Sequence, residues 1–106
     1  MREPLDVLVF YVPVEATDAV LAALFAAGAG TVGEYEHCAF LTAGTGQFRP
    51  IGDANPTIGQ VGELERVTEH RVELTFPRRL RGEIVDALRA AHPYEEPAFH
   101  VVENMA

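Results

Sequence analysis

At 106 residues the chain has room for one hydrophobic core and too few residues for two, so residues 1–106 are expected to form a single domain. Hydrophobic residues at 48% and charged residues at 23% exclude a disordered chain. The formal net charge of −8 disfavours phosphate backbones, so no nucleic-acid partner is expected. The one basic cluster, Arg78, Arg79 and Arg81, lies beside Glu83 and Asp86 rather than in a continuous basic stripe.

After Met1-Arg2-Glu3-Pro4 the apolar run is interrupted at once by Asp6, unlike the core of a signal peptide. No apolar run approaches the ~20 residues that span a bilayer. The single cysteine, Cys38, has no intrachain disulfide partner. A cytoplasmic protein with no membrane partner is expected.

Leu5 to Val12 reads as the first strand. Val7, Val9 and Tyr11 fall on one face and Leu8, Phe10 and Val12 on the other, so both faces need cover. Helices supply it on one side, and in so short a chain a second subunit is expected on the other. Pro13 ends the strand, and a helix is expected from Val14 to Ala27, with Val20, Leu21, Leu24 and Phe25 at helical spacing. Gly28-Ala29-Gly30 follows that helix rather than preceding one, which suits a helix stop and not a phosphate loop.

Thr31 to Thr42 reads as extended, bent near Glu36-His37, and Gly44 to Gly62 as a long, turn-rich connection. Connections of that length inside a compact domain are often functional. Leu64 to Phe76 returns to strand. Val72, Leu74 and Phe76 alternate there with Glu69, Arg71, Glu73 and Thr75, giving a buried and a polar side. A second helix is expected from Pro77 to Ala91, with Leu80, Ile84, Val85 and Leu88 on one face, and a last short strand from Ala98 to Val102. The order β-α-β-β-α-β predicts an α+β, ferredoxin-like fold: a four-stranded antiparallel sheet with two helices on one face.

Two stretches carry chemistry. His92-Pro93-Tyr94-Glu95-Glu96-Pro97 places an imidazole, a phenol and two carboxylates on a link stiffened by two prolines. Its functional reading is a ligand or metal site at a helix-to-strand corner; its plain reading is a rigid connector with a packed Tyr94. Gly44-Thr45-Gly46-Gln47-Phe48-Arg49-Pro50 is the second: its glycines free backbone amides for an anion and Arg49 adds charge-assisted hydrogen bonds. Its plain reading is a turn anchored by Phe48 and Pro50. For a divalent ion, His92, Glu95 and Glu96 with His37 or Cys38 are chemically acceptable ligands, but no spaced metal motif is present.

A serine triad is excluded, because the chain has no serine. Cys38 beside His37 does not make a thiolate pair if both lie in a strand, where neighbours point to opposite faces, and Cys38 is read as a small buried hydrophobe. Glu95 and Glu96 diverge for the same reason. His70 and His100 stand alone in strands and are read as surface or packed residues.

Gly33 to Phe40 (GEYEHCAF), Gly44 to Pro50 (GTGQFRP), Asn55 to Gly59 (NPTIG) and His92 to Pro97 (HPYEEP) occur in that order and cover nearly the whole chain. Together they resemble the domain inserted in bacterial NIF-three-like, or GTP cyclohydrolase 1 type 2-like, proteins and its free-standing relatives. That domain is similar in fold to the trimeric CutA and PII signalling proteins. The resemblance implies a homotrimer with its sheets facing inward and a ligand-responsive connection between the second and third strands. Full-length members bind two metal ions through flanking halves whose motifs have no counterpart here, so their hydrolase chemistry does not carry over.

The expectation is therefore a non-enzymatic, trimeric binding module for a small ligand or a protein partner, with no catalytic residue, cofactor or metal. Its candidate ligand-binding residues are His37, Gly44, Gly46, Gln47, Phe48, Arg49, His92, Tyr94, Glu95 and Glu96. The alternatives are a divalent-cation binder and an enzyme whose site forms between subunits from His92, Arg49 and a carboxylate.

Overall fold

A computed structural model describes residues 3–106. Met1 and Arg2, which open the stretch read above as unlike a signal peptide, lie outside the described residues. The strands are β1 (Leu5–Pro13), β2 (Phe40–Phe48), β3 (Glu65–Pro77) and β4 (Phe99–Val102), and the helices are α1 (Thr17–Ala26) and α2 (Arg81–Ala91). All neighbouring strands are antiparallel, in the spatial order β2-β3-β1-β4.

The expected α+β arrangement is present. Alternation along the two central strands sends Leu8, Phe10 and Val12 of β1 and Val72, Leu74 and Phe76 of β3 to the same face. There they pack with Val20, Leu21 and Leu24 of α1 and with Ile84 and Leu88 of α2. No helix among the described residues is long and apolar enough to cross a membrane.

Both helices start later than the spacing predicts. Each is preceded by a single 3-10 turn, Val14–Ala16 or Arg78–Leu80, directly after a strand-ending proline. The tighter turn lets the chain reverse off the sheet before α-helical bonding begins. At the other end of α1, Gly28 takes a φ of +110°, and Ala29 N–H and Gly28 N–H donate to the Leu24 and Phe25 carbonyls. That is a Schellman stop, so these glycines end a helix.

The stretch from Thr31 onward departs from the sequence reading. Residues 31–39 are not an extended strand: Val32 and Tyr35 exchange backbone hydrogen bonds of 2.8 and 3.0 Å around Gly33, and His37 has a φ of +58°. Strand β2 begins only at Phe40 and runs through Gly44, Thr45, Gly46 and Gln47 to Phe48, residues read above as loop. The ladder to β3, with Gly44 opposite Glu69 and Gly46 opposite Val67, outweighs the weak intrinsic strand preference of glycine. The irregular connection shrinks accordingly to residues 49–64.

Asp6, which breaks the opening apolar run, is buried. Arg78 Nε and Nη2 donate to its two carboxylate oxygens at 2.9 and 2.8 Å, and the Asn104 amide donates at 3.2 Å. The pair fastens the start of β1 to the 3-10 turn before α2. Arg79 is likewise paired, with Glu3.

On the face away from the helices, Val9 is buried and Val7 and Tyr11 are half-buried. By register, Phe40, Glu73, Val9 and His100 form one row across this face, and Val7 lies beside Val102. Phe40 is 66% exposed, and Val102 is exposed as well.

Candidate functional site

The site starts from the two prolines after α2. Pro93 disfavours helical geometry for the residue before it, and His92 indeed caps α2 with extended dihedrals, φ −69° and ψ 136°. That turn carries the His92 ring inward, where it is only 5% exposed. Tyr94 N–H donates to His92 Nδ1 at 3.1 Å, so Nδ1 has no proton to offer. Nε2 carries it and donates to the Tyr11 carbonyl at 2.6 Å. Both ring nitrogens are thus committed to backbone groups, and the ring edge meets Phe10.

Burial pushes the His92 imidazole below its ordinary pKa of 6.5, against a smaller upward pull from the Tyr11 carbonyl and from Glu69. Asp6 is held below the ordinary 3.8, first by its hydrogen bonds from Arg78. In both cases the unfolded chain binds the proton more readily than the folded one, so stability rises with pH across each window. The contribution of His92 is complete above about 6.5 and is lost as pH falls through its folded value; that of Asp6 is lost below about 3.8. The melting temperature is therefore expected to fall between pH 8 and pH 5, before carboxylates titrate. A flat profile over that interval, followed in parallel with His92→Gln, would contradict it.

With His92 locked, Tyr94 points across the open sheet face. Its hydroxyl donates to Glu69 Oε2 at 3.1 Å, and its ring meets Phe48 edge-on at 5.7 Å. Burial and the Glu69 carboxylate raise the phenol well above its usual pKa, so it stays neutral and donates. Glu69, read above as one of the polar-side residues of its strand, is only 8% exposed because Tyr94 covers it. Gly46 makes room for it: a β-carbon at that position would lie 1.8 Å from Glu69 Oε1.

The link and the β2–β3 connection hold one another. Glu95 Oε1 accepts from the Asn55 amide at 3.0 Å, and the Thr57 hydroxyl donates to the Pro93 carbonyl at 2.6 Å. Between them lies a cavity of about 370 Å³, within the size range of small-molecule sites. Tyr11, Phe48, Tyr94, Pro50, Ile51, Pro56 and Ile58 give it apolar walls, while Gln47, Arg49, Glu69, Glu95 and Glu96 bring polar groups.

Six of the ten candidate residues, Gln47, Phe48, Arg49, Tyr94, Glu95 and Glu96, therefore line one cavity. His92 stands behind it as a support. Gly46 contributes space for Glu69, and Gly44 lies on the exposed edge strand outside the lining. His37 belongs to the other end of the sheet. Its ring stacks on Phe25 of α1 at 4.6 Å, in the loop whose Gly30 bonds to Thr75 near the end of β3.

Cys38 is partly exposed rather than buried, and its thiol faces the Glu36 carbonyl at 3.8 Å. His70 Nδ1 lies 2.7 Å from the Thr17 hydroxyl, tying β3 to α1. Among the described residues no group of three His, Cys, Asp or Glu side chains is placed to hold an ion. The reading from sequence missed Tyr11 and Glu69. An apolar-flanked tyrosine in a strand carries no signal of a cavity, and a glutamate on the polar side of a strand none of burial.

An antiparallel β2-β3-β1-β4 sheet with two helices on one face defines a CutA-like α+β domain. The CutA of Archaeoglobus fulgidus, a periplasmic divalent cation tolerance protein, superposes with a TM-score of 0.69 over 96% of this chain and 85% of its own, at 15% identity. A Bacillus cereus protein related to NIF3 reaches a TM-score of 0.81 at 39% identity, over 98% of this chain and 26% of that one. The chain is 57% identical over 97 residues to the GTP cyclohydrolase 1 type 2 homolog of Mycobacterium tuberculosis and 48% identical over 99 residues to that of Bacillus subtilis. Over nearly its whole length the chain is thus similar to one domain of these NIF3-like, GTP cyclohydrolase 1 type 2-like proteins, the CutA-like one. These matches cover 92% and 93% of the chain, which spans 26% of the length of each of these two relatives. No family model matches the chain.

Proposed function

We propose that the chain is a non-enzymatic, homotrimeric, PII/CutA-like module that binds a small ligand in the cavity between the β2–β3 connection and the His92–Pro97 link. The observation that carries this reading is the cavity itself, built where two stretches 40 residues apart are pinned together by the Asn55–Glu95 hydrogen bond. A ligand entering there touches both, and so is coupled to the position of the long connection. The His92 imidazole behind the cavity has both nitrogens bound to backbone groups and is not free to act as a base, which favours a binding role over catalysis.

Assembly is supported by the open sheet face, where Phe40 and Val102 stand exposed beside half-buried Val7. Packing such faces against copies of the same chain removes apolar surface from water. Size-exclusion chromatography with light scattering is expected to report about three times the 11.6 kDa chain mass. Phe40→Arg, which places a charge in that face, is expected to shift the mass toward one chain. A monomeric wild-type protein would remove the assembly.

A further inference from the structure

We propose that the cavity selects a small organic cation, an alkylammonium or alkylguanidinium group, seated against the Glu69 carboxylate between the rings of Tyr11, Phe48 and Tyr94. The inference rests on reading this cavity as a ligand site. Glu69 lines the cavity while being more than nine-tenths buried. One of its oxygens accepts from Tyr94, and no hydrogen bond from the described residues reaches the other, Oε1. No fully sealed side-chain oxygen or nitrogen among the described residues lacks a partner, so Oε1, which lies against Gly46, keeps some accessible surface. A carboxylate held so far from water is stabilised by a positive partner, and no ion pair reaches it among the described residues.

The walls point the same way. The faces of aromatic rings carry negative potential and attract cations, most strongly where water is excluded. Charge agrees: Glu69, Glu95 and Glu96 line the cavity against one guanidinium, Arg49. Arg49 is exposed and makes no ion pair among the described residues, so solvent screens it, whereas the buried Glu69 is screened much less. Arg71 is also exposed and is paired with Glu73. An anion would meet this weakly screened carboxylate first.

Titration calorimetry of the full chain with four short-chain probes tests this: butylammonium, butylguanidinium, butyrate and 1-butanol. The two cations are expected to bind saturably, and butyrate and butanol at least about tenfold more weakly. Glu69→Gln keeps an acceptor for Tyr94 but removes the charge. It is expected to lower cation affinity by about tenfold or more, with oligomeric mass unchanged and melting temperature no lower than that of the wild type. Gly46→Ala, whose β-carbon displaces the Glu69 carboxylate, is expected to reduce cation binding as well. Cation affinity untouched by Glu69→Gln would overturn the inference. Butyrate or butanol binding as tightly as the cations would do the same, while leaving the cavity as a ligand site. Failure of all four probes would remove both.

Discussion

Phe10→Ala is expected to lower the stability of the protein by about 3–5 kcal/mol, the range for truncating a fully enclosed phenylalanine. Phe10 has no exposed surface and sits at the middle of β1, opposite Val72 of β3 on one side and Phe99 of β4 on the other. Alanine would leave a void between the sheet and both helices, since packed interiors relax only partly around lost atoms. The ring also abuts the edge of His92, 6.5 Å between centroids at 77°. The damage is therefore expected to reach the cavity as well as the core. Urea unfolding at one fixed protein concentration measures it, because assembly would make apparent stability depend on concentration. A loss below about 1 kcal/mol would mean the core closes around the deletion in a way this packing does not suggest.

His92→Ala is expected to cost about 2–4 kcal/mol, by a different route. The Tyr11 carbonyl and the Tyr94 amide each lose their partner inside the protein, and buried groups left unpaired forfeit their full hydration. The substitution also frees the link that aims Tyr94 at Glu69, so one wall of the cavity is expected to loosen. His92→Gln separates the two effects, since its side-chain amide can donate to the Tyr11 carbonyl without filling the ring's place. It is expected to fall between wild type and His92→Ala in denaturant melts and in butylammonium affinity. Equal melts for all three proteins would show that the imidazole is only a filler.

Much of the site was legible as two stretches and almost none of it as a cavity. The prolines of His92–Pro97 announce a rigid corner because their effect on the backbone is local, and the corner is found as expected. What the corner faces is not a local matter. The link meets the β2–β3 connection through Asn55 and Thr57, which sequence reading could place only in an irregular stretch. His37 shows the converse: a residue type suited to the site, but carried to the opposite end of β3 by the left-handed turn it occupies.

By itself, the amino-acid order determined the element sequence, the apolar faces of the central strands, the glycine stop of α1 and the extended cap at His92. Each follows from interactions over a few residues: side-chain alternation, helical spacing, and the restricted dihedrals of proline and glycine. Tertiary structure alone decided that β2 would run through Gly44 and Gly46, that Glu69 would be buried under Tyr94, and that Tyr11 would help wall the cavity. Those outcomes depend on strand register and on which distant segment covers a face. Both are set by the packing of the whole chain, and no short window of sequence contains them.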